Sequence, residues 1–177
     1  MKILKIMILS IFIIATLGVS VYAFMNQKKF GKMPAGKRLE RIKASPHYIN
    51  GSFQNLNPTP VMAEDASLLK IIKQYINSAN VKPQAPIPSV KHDLYAISRD
   101  KEVIVWLGHA SYYIQTGGKR ILVDPVLSGH ASPVFFTTNA FEGTDPYKIS
   151  DIPNIDYLII THDHWDHLDY ETILELR

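Results

Sequence analysis

The stretch Tyr157-Leu158-Ile159-Ile160-Thr161-His162-Asp163-His164-Trp165-Asp166-His167 decides how this chain is read. Ile155 to Ile160 has the composition of a buried strand that ends in the core. It runs directly into three histidines and two aspartates within six positions. In extended backbone, alternate side chains share a side, so His162 and His164 can converge on one ion. Asp166 and His167 fall where the chain turns into a helix predicted over Leu168 to Leu176, and can reach a second ion beside the first. The competing reading is a polar surface loop. It has to explain a concentration of titratable groups that would be costly to bury without a cation. Imidazole and carboxylate donors without sulfur suit Zn²⁺, and also Fe or Mn. The chain has no cysteine, which excludes disulfides and thiolate metal sites.

Upstream of this run the pattern is also β-rich. Val103-Ile104-Val105-Trp106-Leu107 reads as a buried strand, followed by Ser111 to Thr116 and then Arg120-Ile121-Leu122-Val123. Gly117-Gly118 between the last two is a hairpin signal. Asp124 lies at a strand end before Pro125. It is either a turn-former or an acceptor for a ligand imidazole N–H. His109, after Trp106-Leu107-Gly108, is likewise a turn residue or a neighbour of the site. Residues 127–153 form a long loop containing Phe135, Phe136 and Phe141, and loops of that length are commonly functional or mobile. His47, His92 and His130 read as ordinary loop residues.

The first half of the chain differs in character. Ile6 to Met25 is an uncharged run of twenty residues behind Lys2 and Lys5. As a helix it spans about 30 Å, one bilayer core. A cleaved signal peptide is the rival, with Val21-Tyr22-Ala23 as an acceptable cleavage pattern. The run exceeds the usual apolar region of roughly 7–15 residues, which favours an anchor. Residues 1–50 hold nine Lys/Arg against Glu40 alone, a net +8, whereas residues 51–177 hold ten against fifteen acids, a net −5. The basic flank Lys28 to Lys43 is a solvated linker or a patch drawn to anionic lipid. Because the basic residues precede the domain rather than line it, no nucleic-acid partner is expected. Residues 44–65 are rich in turn formers and read as an extended connector. From Ala66 to Asn80 apolar residues recur at helical spacing, with Asp65 or Ser67 as the cap, giving an amphipathic helix expected to pack on the core. Three segments follow: 1–25 as transmembrane anchor or signal peptide, 26–65 as basic and extended connector, and 66–177 as the N-terminal half of an α/β domain.

The run His162 to His167 matches the HxHxDH signature of the metallo-β-lactamase superfamily. Trp106 to Ser111, Ile121 to Val126 and Ala131-Ser132-Pro133 resemble one branch of it, that of N-acyl-phosphatidylethanolamine-hydrolysing phospholipase D. The resemblance implies an α/β, αββα sandwich, of which this chain carries the first half, preceded by one hydrophobic helix. It implies that His162 and His164 ligate a first metal, and Asp166 and His167 a second. Asp166 is also the residue it assigns to catalysis. Asp124, His109 and Asp163 are implied as neighbours that support the ligands from behind without binding the metals. Two Zn²⁺ would share a hydroxide that attacks phosphorus in a membrane lipid or other amphiphilic phosphodiester. The family pattern needs a further His, a bridging Asp and a last His, and the chain reaches Arg177 within the predicted helix without them. Lactone or ester hydrolysis on the same metal core is the alternative, as is a catalytically inactive membrane-anchored fragment.

Overall fold

The computed structural model describes residues 2–60, 62–63, 66–79 and 81–177. They form two compact units, residues 1–76 and 77–177. The first begins with helix α1, Lys2–Met25, which buries none of its side chains. Its length and composition fit a membrane crossing or a signal sequence. Helix α2, Gly36–Lys43, follows and carries Lys37, Arg38, Arg41 and Lys43. The basic flank is therefore partly helical. A short antiparallel hairpin of β1, Tyr48–Ile49, and β2, Ser52–Phe53, interrupts the expected connector. Its turn is Asn50-Gly51, both at positive φ, the geometry that favours this dipeptide. The rings of Tyr48 and Phe53 meet edge to face at 5.2 Å across it.

Helix α3, Leu68–Ile76, is shorter than the periodicity predicts and buries none of its side chains. The Ser67 carbonyl accepts the helical bond from Ile71 N–H. Asp65 as the cap and Asn80 as the helix end lie outside the described residues.

The second unit is built on a sheet in the order β3-β4-β5-β6. These strands are Val103–Gly108, Ser111–Thr116, Lys119–Val123 and Tyr157–Ile159. The first three form an antiparallel meander, and β6 pairs parallel to β5. Gly117 and Gly118 both take positive φ in the two-residue turn, as the hairpin signal requires. Helix α4, Tyr170–Glu175, closes the element order. Asp169 caps it by accepting from Glu171 N–H.

One face of the sheet carries Leu107, Tyr113 and Leu122, which pack with Leu94, Leu127, Tyr147 and Ile152 as the core. Gln115 is fully buried on that face. Its side-chain amide donates to the carbonyls of Ser98 and Lys101, and its oxygen accepts from Tyr113 Oη and Arg120 Nε. Burial is the main reason the Tyr113 hydroxyl is raised above its ordinary range, against the lowering field of Arg120 and Arg99. The opposite face differs from expectation. Ile104 and Trp106 are 71% and 57% exposed, and all three residues of β6 are exposed. Of the strands expected to be buried runs, β3 is covered on one side only and β6 is exposed along its length. An apolar run does not distinguish one-sided from two-sided burial, and among the described residues only one face is packed.

Asp156 clamps β6 onto β5. Its N–H donates to the Arg120 carbonyl at 2.7 Å, and its carboxylate accepts from Arg120 N–H at 2.8 Å and Arg99 Nη1 at 3.0 Å. The Arg120 N–H bond leads in holding this carboxyl below its ordinary value. The Arg99 bond and the charges of Arg99 and Lys119 add to it, against an opposing burial effect. A depressed folded value means the contribution is fully present above the unfolded pKa of about 3.9 and is lost as pH falls through the folded value. Asp156→Asn is therefore expected to flatten the acid limb of melting temperature against pH below about 4 and to lower the plateau above it. Thermal melts followed by circular dichroism check this.

Candidate metal centre

The site forms where three segments meet at one end of the sheet. After β6 the chain leaves the ladder at Thr161, and the histidine run turns back on itself. His167 N–H and Leu168 N–H both donate to the His164 carbonyl. That turn gathers the imidazoles. The rings of His162 and His164 lie 4.5 Å apart, and those of His162 and His167 lie 3.9 Å apart. The strand ends at Ile159 and the chain bends at residues 163–164, so a bend and not strand alternation sets these two rings side by side.

Asp124 is the anchor of this arrangement. It follows β5, is 2% exposed, and extends the parallel ladder through its N–H to the Ile159 carbonyl. Its backbone sits at φ +43, a conformation uncommon outside glycine, in keeping with a residue held for a purpose. The carboxylate accepts from Thr161 N–H at 2.7 Å, from the Thr161 hydroxyl at 2.7 Å, and pairs with His167 Nδ1 at 2.8 Å. Burial pushes its pKa up, but the bonds from His167 and from the Thr161 hydroxyl and N–H outweigh it, leaving the carboxyl below its ordinary value. An ionised Asp124 can only accept, so His167 places its proton on Nδ1 and leaves the Nε2 lone pair free. That lone pair lies 3.7 Å from Asp166 Oδ2. With the Thr161 proton given to Asp124, the Thr161 oxygen can accept from His162 Nδ1–H at 3.1 Å. A carboxylate that orients an imidazole from behind is the usual support of a metal-binding histidine.

Two sets of donor atoms could each hold a cation. One is His162, His164 and Asp166, the other His109, Asp166 and His167, and within each set the donor atoms lie within 4.8 Å of one another. Asp166 is common to both. Burial raises its pKa, and the His109 bond, its own backbone N–H and the charges of His167 and His109 bring it below the ordinary value overall. The donors fit a divalent ion in chemistry, being imidazoles and a carboxylate without sulfur. The structure thus brings together His162, His164, Asp166 and His167, with Asp124 behind His167 and His109 beside Asp166. Asp163 is exposed and belongs to neither set.

Sequence reasoning passed over Thr161, whose hydroxyl and N–H both reach Asp124. Its signal was a single hydroxyl residue between the aliphatic strand and the histidines. It also passed over Asp169 and Thr172. These accept from Ser128 N–H and Leu127 N–H and so fix the loop that leaves Asp124. A cavity of about 630 Å³ opens beside the cluster, with His109 and Asp166 on its edge. Ile87, Trp106, Val126 and Phe141 contribute apolar wall, and His130 lines it as well.

Residues 103–175 match the family described as beta-lactamase superfamily domain. An uncharacterised protein of Mycobacterium tuberculosis is 33% identical over 135 residues, which is 75% of this chain and 36% of that protein. The N-acyl-phosphatidylethanolamine-hydrolyzing phospholipase D 1 of Caenorhabditis elegans is 35% identical over 68 residues, 38% of this chain and 19% of that one. A metal-dependent hydrolase of Caldivirga maquilingensis is 38% identical over 63 residues, 36% of this chain and 22% of that one. The chain thus spans about a third or less of the length of these relatives. Residues 103–175, the part that matches the beta-lactamase superfamily domain, hold every residue of the cluster, and the chain is similar to that family there, with a mixed α/β, metallo-β-lactamase-like fold.

Proposed function

We propose that the protein is a metal-dependent hydrolase that cleaves a phosphodiester in an amphiphilic, N-acyl phospholipid-like substrate. The observation that carries the reading is the convergence of His162, His164, Asp166 and His167, with Asp124 fixing the proton of His167. His162 and His164 are proposed to hold one zinc ion, and Asp166 and His167 a second. With zinc held by these donors, the site would have a source of nucleophilic hydroxide at neutral pH. The protein side of the mechanism is orientation. Asp124 keeps the His167 Nε2 lone pair turned toward Asp166, and Thr161 holds Asp124 in place. Asp166 presents a carboxylate to both donor sets.

Three features support the amphiphilic substrate. The cavity beside Asp166 has the volume of a small-molecule site and a mostly apolar wall. Helix α1 is long and apolar enough to seat in a membrane. Phe135 and Phe136, stacked edge to face at 5.2 Å, are 74% and 67% exposed on the loop between β5 and β6. One relative is named for phospholipase D activity. The protein, assayed in detergent–lipid micelles, is expected to release phosphatidate from an N-acyl phosphatidylethanolamine and to lose that activity to a chelator. Turnover of lactones alone, with phosphodiesters untouched, would remove this substrate class in favour of ester hydrolysis.

A further inference from the structure

His109 comes from a turn 57 residues before Asp166, and the local fold is built to deliver its ring. The β3–β4 ladder shifts register between Trp106 and Gly108, a bulge of the kind that re-aims side chains. Gly108 takes φ +124, and a Cβ there would sit 2.6 Å from the Thr144 carbonyl oxygen, so only glycine fits. His109 itself is held at φ +44. Its carbonyl accepts from the Trp106 indole N–H at 2.8 Å, which fixes the turn. The side chain is 60% exposed, so packing does not explain its direction. It nevertheless points its Nε2 at Asp166 Oδ2, 3.0 Å away, and its ring lies 6.1 Å from that of His167.

We propose that His109 is a protein ligand, through Nε2, of the cation held by Asp166 and His167. The inference rests on the metal-dependent reading of the site. Donors around a tetrahedral zinc at about 2.0–2.2 Å stand roughly 3.4 Å apart. From Asp166 Oδ2 the two imidazole nitrogens lie at 3.0 Å and 3.7 Å, either side of that spacing. His109 thereby gives the second ion three protein donors, from the β3–β4 turn and from the run after β6. The rival is a histidine that only hydrogen-bonds to the carboxylate from outside the coordination shell.

Co²⁺ as a stand-in for zinc separates these. The protein is titrated with Co²⁺ and its hyperfine-shifted exchangeable imidazole N–H resonances are recorded by proton NMR. His109→Asn is the variant, because asparagine tolerates the left-handed backbone and preserves the turn. The proposal expects wild type to show a shifted N–H that His109→Asn lacks, with Co²⁺ affinity at one site reduced roughly 100-fold or more, beyond the usual range of outer-shell changes. An unchanged set of shifted resonances in His109→Asn, whether or not affinity falls, overturns the ligand role and leaves the hydrolase reading intact. Wild-type protein that binds no Co²⁺ overturns both.

Discussion

His164→Ala is expected to remove hydrolysis by on the order of 10³-fold or more and to lower metal content, with little effect on folding. The side chain of His164 is exposed, and what the fold takes from this residue is its carbonyl, which alanine retains. The lost group is an imidazole of the His162, His164 and Asp166 set. Two donors from that set are left, too few for the three or four protein donors of an ordinary zinc site. Without a metal the attacking water keeps the high pKa of free water and is a poor nucleophile at neutral pH, which is the reason for the size of the effect. Metal analysis by plasma mass spectrometry, the phosphodiesterase assay and a thermal melt, run on the same preparation, check the three parts of the expectation.

Asp124→Asn is the second large effect, and it works through a proton rather than a ligand. The buried carboxylate accepts three bonds, from Thr161 N–H, the Thr161 hydroxyl and His167 Nδ1–H. An amide of the same size has one acceptor oxygen and an NH₂ that donates. Facing that NH₂, His167 Nδ1 becomes an acceptor, and its proton moves to Nε2, the atom turned toward Asp166. Metal affinity at that position is expected to fall by roughly 10–100-fold. Leaving buried groups mismatched costs about 1–3 kcal/mol of stability in addition. Zinc titration against a competing chelator measures the first, and metal-free unfolding in denaturant the second.

The histidine run was legible because it needs only local rules. A strand ends just before the run, and the bend and turn that follow gather His162, His164, Asp166 and His167. The Gly117-Gly118 hairpin was legible for the same reason, and its register follows from two residues at positive φ. Asn50-Gly51 carries an equally local signal that a reading of the segment as connector overlooked. What sequence could not supply is burial. The alternation of Ile104, Val105, Trp106 and Leu107 is all apolar, so nothing in it says that Ile104 and Trp106 remain exposed. Nor could spacing choose between turn and site for Asp124 and His109. Their roles are decided by partners 43 and 57 residues away, His167 and Asp166.

The most direct test of the central claim is the metal environment itself. X-ray absorption at the zinc edge, on protein loaded with zinc and washed free of excess, reads the donors. Bound zinc with nitrogen and oxygen neighbours at about 2.0–2.2 Å and multiple-scattering features of imidazole, both lost in His162→Ala/His164→Ala, is the predicted result. Protein that retains no zinc, or zinc whose environment is the same with and without His162 and His164, would contradict the account.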